Sequence, residues 1–252
     1  MKKLSHLLLY VVFCFTAYSQ NLVPNHSFED YDTTYVPSVS PYFNHTYESL
    51  YYWRTQWSMF NTPDFIFEES YTFFENIADF NTIATTYGAD EYYVSVPDNY
   101  AGSQFPRTGL RYIGIRTENP NVLNADSSFT IAPYQEYMQV ELSQTLEAGK
   151  SYEVALFISA SDNSVFQNNS VGILLSEGSE FYFGTSPVTP DITSADSVVS
   201  TIEWEEIKGN YVAQGGEKFL TFGNLHLSTV DTFVLSSQFK PIYYYIDDVF
   251  RF

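Results

Sequence analysis

The chemistry open to this chain is bounded by how few reactive side chains it carries. Past an apolar leader its imidazoles are His26, His45 and His226, and its single cysteine, Cys14, lies inside that leader. Thiolate catalysis, disulfide staples and cysteine-held metals are therefore excluded from the mature part. The histidines form no His-Glu-x-x-His pattern, and there is no Gly-x-Ser-x-Gly nucleophile elbow or phosphate-cradling glycine loop. Each histidine reads as a surface or packing residue. With 30 acidic residues in the chain, any two carboxylates picked as a glycosidase pair would be a chance choice. Aromatic residues are what the sequence has in excess, at 19%. Tyrosine and tryptophan faces stack on sugar rings. Trp53, Trp57, Tyr92, Tyr93 and Tyr100 fall in stretches that read as loops or strand ends, where a ring can meet a ligand. Most aromatic rings fill cores instead, and Trp204, in the strand-like run 202–207, is assigned there.

Charge narrows the partners. The chain carries 11 basic and 30 acidic residues, a formal net charge of -19. Such a surface repels phosphate backbones and anionic membranes, so nucleic acid is excluded as a partner. An acidic composition alone can signal disorder, but this much aromatic surface argues for a buried core.

The first residues read as a secretory signal. Lys2 and Lys3 precede the apolar run 7–15, and small or polar residues follow at Thr16, Ala17 and Ser19. The run is well short of the roughly 20 residues that span a bilayer, and no later segment is apolar enough to insert. The expectation is a signal over 1–20 and a single exported domain over 21–252, bound for the periplasm, the cell surface or the medium.

The elements that must position these residues are strands. Tyr152, Val154, Leu156 and Ile158 alternate with Glu153, Ala155, Phe157 and Ser159. Met138, Val140 and Leu142 alternate with Gln139 and Glu141 in the same way. The short turn 147–150 between them predicts an antiparallel hairpin. Further strands are expected over 111–117, 171–175, 218–223 and 243–252, and one helix over 68–79. The segments 30–40 and 186–200 read as exposed loops. Gly215-Gly216 reads as a turn needing positive φ, and Asp162 as a turn-capping residue. Many short strands with frequent turns predict an all-β, antiparallel β-sandwich.

Several motifs then carry a resemblance. The opening Asn21-Leu22-Val23-Pro24-Asn25-His26-Ser27-Phe28-Glu29 and the closing Tyr245-Ile246-Asp247-Asp248-Val249 resemble the two ends of jelly-roll modules in secreted Bacteroidota proteins. Thr62-Pro63-Asp64-Phe65, Val96-Pro97-Asp98-Asn99, Pro106-Arg107-Thr108-Gly109, Tyr211 to Glu217 and Phe222-Gly223-Asn224 fit the same pattern in order. These modules are similar to the galactose-binding-like jelly rolls, which include carbohydrate-binding modules, and they often precede an OmpA-type domain. The resemblance implies a jelly-roll fold and a non-catalytic role, with a polysaccharide or cell-surface glycan as ligand. A cell-surface protein partner in an envelope structure is the alternative. It also implies a structural Ca2+ ion, a cation that takes roughly 6–8 oxygen ligands, held between Glu29 and Asp247. Asp248 ranks behind them, because strand alternation turns neighbouring side chains to opposite faces.

Overall fold

Val154, Leu156 and Ile158 are wholly buried while Glu153 between the first of them and the strand start is exposed. Alternation of this kind obliges a strand to lay one face on a core, and two such sheets facing each other satisfy both. The computed structural model describes residues 20–32, 50–54, 64–66, 96–99, 101–123, 129–133, 136–162, 168–179, 188–194, 196, 198, 200–225 and 242–251. The leader, the helix expected over 68–79, His45 and His226 lie outside these residues.

In chain order the strands are β1 (Trp53–Arg54), β2 (Asp64–Ile66), β3 (Asp98–Asn99), β4 (Gly102–Ser103), β5 (Tyr112–Leu123), β6 (Phe129–Pro133) and β7 (Tyr137–Glu141). There follow β8 (Ser151–Ala160), β9 (Val171–Ser176), β10 (Ile192–Thr193), β11 (Glu205–Val212), β12 (Phe219–Asn224) and β13 (Ile242–Arg251). One sheet runs β1-β7-β12-β9-β10 and the other β11-β8-β13-β5-β2, with every pairing antiparallel. From β5 to β9 and again from β11 to β13, with β6 set aside, the chain crosses to the opposite sheet at each step. The last strand, β13, is inserted between β5 and β8, and its predecessor β12 between β7 and β9. That interleaving is the jelly roll. Among the described residues no helix is long and apolar enough to cross a membrane.

Register explains the core. Ile113, Ile246 and Ile158 stand opposite one another across one sheet. Met138, Phe222 and Ile173 do so across the other, and all six are fully buried. The expected hairpin between 138–142 and 152–159 does not form. β7 and β8 lie in opposite sheets, and the segment joining them arches over the sandwich edge. Its ends are taken up elsewhere: Leu142 N donates to Lys218 O, and Leu146 N to Glu217 O. Both strands need their apolar faces turned to one core, and facing sheets give each of them that. The expected loop 186–200 also contains a short strand, β10, pairing with β9.

The outer face of the second sheet is covered as well. Tyr243 and Tyr245 of β13 are buried there: Tyr245 lies 5.2 Å from Tyr112 and 5.5 Å from Tyr243. Tyr245 Oη donates to Asn99 Oδ1, and Tyr112 Oη to Gln104 O. Gly114 lies directly under the Tyr243 phenol, where a side chain would collide.

Candidate functional site

The opening motif folds into a turn organised by Asn25. Asn25 and Phe28 take positive φ, 46° and 61°, a region few non-glycine residues adopt. Phe28 is thereby turned fully into the core, 5.2 Å from the Trp53 ring. The Asn25 amide donates to Asp30 O (2.8 Å) and Tyr51 O (3.1 Å), and its Oδ1 accepts from Asp30 N (2.8 Å). The Trp53 indole N–H donates to Asn25 O at 2.8 Å. One short polar side chain thus ties the start of the chain to the 50–53 segment.

Next along, Glu29 meets the 106–111 loop. Its Oε1 accepts the N–H groups of Leu110 (2.8 Å) and Arg111 (3.1 Å), and its Oε2 pairs with Arg111 Nη1 at 2.7 Å. Gly109, at φ 62°, gives the carboxylate room that a Cβ would fill. The same loop reaches β13. Asp247 Oδ2 accepts from Arg107 N (2.8 Å) and Thr108 N (3.2 Å), and its Oδ1 from Asp248 N. Asp248 pairs with Arg107 Nη1 at 2.6 Å and accepts from Thr108 Oγ1 at 2.7 Å. The expectation that alternation separates the two aspartates is overturned. A register shift follows Asp247, and Asp248 sits at φ 47°. A bulge of this kind suspends alternation, so both carboxylates meet one loop.

Burial, followed by the neighbouring charge of Asp248, pushes Asp247 up to about 8, against the opposing pull of its peptide donors. His26 Nδ1 lies 3.9 Å from Asp248 Oδ1, and its ring rests 5.3 Å from Phe250.

These residues do not fit the implied calcium site. Calcium needs a cage of oxygens, whereas the backbone contacts that the loop makes with Glu29 and Asp247 are through N–H groups. Glu29 and Asp248 already hold guanidinium partners, and Asp247 accepts three peptide N–H groups. Among the described residues no group of three or more His, Cys, Asp or Glu side chains is placed to hold a metal.

The expected sugar-stacking residues divide. Trp53 is a correction: it is 4% exposed, wedged between Phe28 and Phe222, so its faces cannot meet a ligand. Trp57, Tyr92, Tyr93 and Tyr100 lie outside the described residues. The exposed rings beside Trp53 are ones the sequence reading passed over, Tyr51 at 51% and Tyr52 at 63%. Tyr52 has φ 72°. For a bulky residue that is a genuine outlier, and strain of this type collects at binding sites. Alternation could have signalled Tyr52 but not Tyr51: if Trp53 points inward, its neighbour Tyr52 points out.

A second exposed group stands at the β11 end. Phe105 and Ile202 are 67% and 78% exposed. Trp204, two residues along from Ile202, is half-buried against Tyr112, and its indole N–H donates to Phe105 O at 3.0 Å. The core assignment of Trp204 is therefore met in part: the half-buried ring packs against the core.

No family model matches the chain, and no curated protein matches it. Among solved structures it is similar to the CBM22-1 xylan-binding domain from Paenibacillus barcinonensis Xyn10C. That likeness has 14% identity over 58% of this chain and 74% of that one, with a TM-score of 0.35. It is also similar to the CBM22-1 and GH10 modules of Clostridium thermocellum xylanase 10B complexed with xylohexaose. There the figures are 16% identity, 57% of this chain, 22% of that one and a TM-score of 0.31. A third likeness is to the K1 cleaved adhesin domain of Lys-gingipain from Porphyromonas gingivalis, at 10% identity, 57% and 74% coverage and a TM-score of 0.27. The jelly-roll assignment rests on the strand pairing of this chain itself.

The remaining motifs resolve into scaffolding. Gly215 and Gly216 take φ 96° and 110°, as the sequence predicts for that turn. Glu217 closes it, accepting from Gln214 N, Gly215 N and Tyr211 Oη at 2.7–2.9 Å. Asp162 caps a neighbouring hairpin, accepting from Ser103 N at 3.1 Å where β4 turns back on β3.

Proposed function

We propose that this chain is an exported, non-catalytic glycan-binding module, with Tyr51 and Tyr52 as its stacking surface. The observation that carries the reading is two consecutive exposed tyrosines on a backbone held in a strained conformation by Asn25 and Trp53. A sugar ring needs a flat apolar face with hydrogen-bonding groups at its edge. Tyrosine offers such a face and a phenol at low entropic cost. Asp30, exposed and fixed by the same Asn25 amide, stands beside them. Fixing the backbone beneath the rings before the ligand arrives removes part of the ordering cost of binding.

Affinity electrophoresis in gels cast with soluble polysaccharides, xylan among them, and a glycan array test this. Retardation of the wild type, lost in Tyr51→Ala/Tyr52→Ala with unchanged melting, supports the reading. No binding on either platform removes it.

The alternative is a cell-surface protein partner, which the exposed Phe105 and Ile202 favour. Exposed apolar groups around a half-buried tryptophan are what a protein interface buries at its centre. Pull-down of one surface protein by the wild type, lost in Phe105→Ser/Ile202→Ser and kept in the tyrosine variant, would select it.

A further inference from the structure

We infer that Arg107 and Arg111 form a metal-independent latch that fastens the two ends of the chain, so that the fold needs no cation where Glu29 and Asp247 meet the 106–111 loop. The latch is distinct from the glycan reading and stands without it.

The ends of the chain lie side by side: Val249 N donates to His26 O at 2.8 Å, and Asn21 Nδ2 reaches Val249 O at 3.4 Å. That closeness gathers acids. Asp248 is 1% exposed and Asp247 is wholly buried, with Glu29 on the same short loop. Buried carboxylates without countercharge destabilise a fold, and a divalent ion is one remedy. Here the remedy is built from side chains. Arg111, with only 13% of its side chain exposed, pairs with Glu29. The same guanidinium donates to Tyr31 Oη at 3.2 Å and lies 4.4 Å from that ring's centre. Arg107 pairs with Asp248 while lying 3.4 Å over the Phe157 ring. Each guanidinium is thus held by an acid on one side and an aromatic face on the other. This is an arrangement arginine can make and lysine cannot, because the planar fork pairs and stacks at once.

The third acid needs no cation. Its oxygens are met by three peptide N–H groups, donors that offset a carboxylate's charge without a metal. One loop therefore carries a positive side chain at each end, Arg107 toward the last strand and Arg111 toward the first segment. Gly109 between them is the point where Glu29 presses closest. A calcium ion would have to displace Arg111 from Glu29 and turn the loop's N–H groups away.

Thermal melts of the full chain in millimolar calcium and in chelator, with elemental analysis of the purified protein, are the first measurement. The expected result is the same midpoint in both and no bound calcium. A higher midpoint in calcium together with one calcium per chain would overturn the inference. The second measurement is a double-mutant cycle on Glu29→Gln and Arg111→Met. Each single change should lower the midpoint by about 10 °C, and the double change should cost no more than the worse single one. Losses that simply add would show that the two side chains act separately and would also overturn the latch. If Arg111→Met yields no folded protein, the calcium comparison on the wild type decides alone.

Discussion

The Asn25 amide donates to the carbonyl of Tyr51 at 3.1 Å, across 26 positions of sequence. The second residue of that contact begins the exposed tyrosine pair, and the first sits in the opening motif at φ 46°. A motif that looks like a strand-start signature is therefore the support of the candidate binding surface.

Asn25→Ala should lower stability by about 2–3 kcal/mol, since three hydrogen bonds of roughly 1 kcal/mol each are lost. Positive φ is also harder for alanine. Asn25→Gly keeps the backbone conformation at little steric cost, so the difference between the two variants in urea melts isolates the strain. Equal losses in both would show that the hydrogen bonds carry the whole effect.

Trp53→Ala should cost about 3–5 kcal/mol, the usual price of removing a large buried ring, because it empties the space between Phe28 and Phe222. Glycan affinity of the folded fraction should change far less than in the Tyr51 and Tyr52 variants. A stable Trp53→Ala protein that has lost binding would return Trp53 to the ligand site.

Gly109→Ala should destabilise by more than about 2 kcal/mol. It combines φ 62° with a methyl group placed on the Glu29 carboxylate. Gly149→Ala, also at positive φ but with open space around it, is the control, and urea melts should show a smaller loss there. Equal losses would mean that backbone strain alone acts at Gly109.

Glu217 predicts an acid-side transition. Burial would raise its carboxyl, but the Tyr211 hydroxyl and the turn's N–H groups outweigh it and hold the group below its ordinary 4.5. A depressed carboxylate stabilises the fold above its unfolded value, and that contribution is lost as pH falls through the folded one. Glu217→Gln should therefore melt lower than wild type at neutral pH, with the gap closing as pH drops below 4.5. A gap constant across that range would remove the assignment.

Much of this was legible from residue order. Alternation in β8 and β7 located both strands, because half-buried strands must segregate their faces. It could not say which strands pair: the 147–150 turn looks like a hairpin closure, and only the need to share one core sends β7 and β8 to opposite sheets. Alternation misled at Asp247 and Asp248, where a bulge places both on one loop. At Trp53 residue type suggested a sugar platform, while burial, set by Phe28 and Phe222 from distant segments, made it core. The arginine pairs were invisible for the same reason, since their partners lie 82 and 141 positions away.

Tyr52 offers the sharpest separation of stability from binding. Its φ of 72° is costly for a bulky side chain, of order 1–3 kcal/mol. A ring that is 63% exposed adds little to the core. Glycine accepts that conformation, at a cost in unfolded-state entropy of about 0.5–1 kcal/mol. Tyr52→Gly should therefore melt no lower than wild type, and higher if the strain is the larger effect. Tyr52→Ala keeps the strain and should melt near wild type. Both lose the ring, and a stacking contact of about 0.5–1.5 kcal/mol predicts glycan affinity weaker by up to about tenfold in each. The measurement is calorimetric melting beside affinity electrophoresis on the polysaccharide that retards the wild type. A chain that holds a strained, exposed tyrosine for a ligand loses binding in both variants and gains stability only where glycine relieves the strain. If both variants melt well below wild type and bind as before, Tyr52 is scaffolding and the stacking surface lies elsewhere.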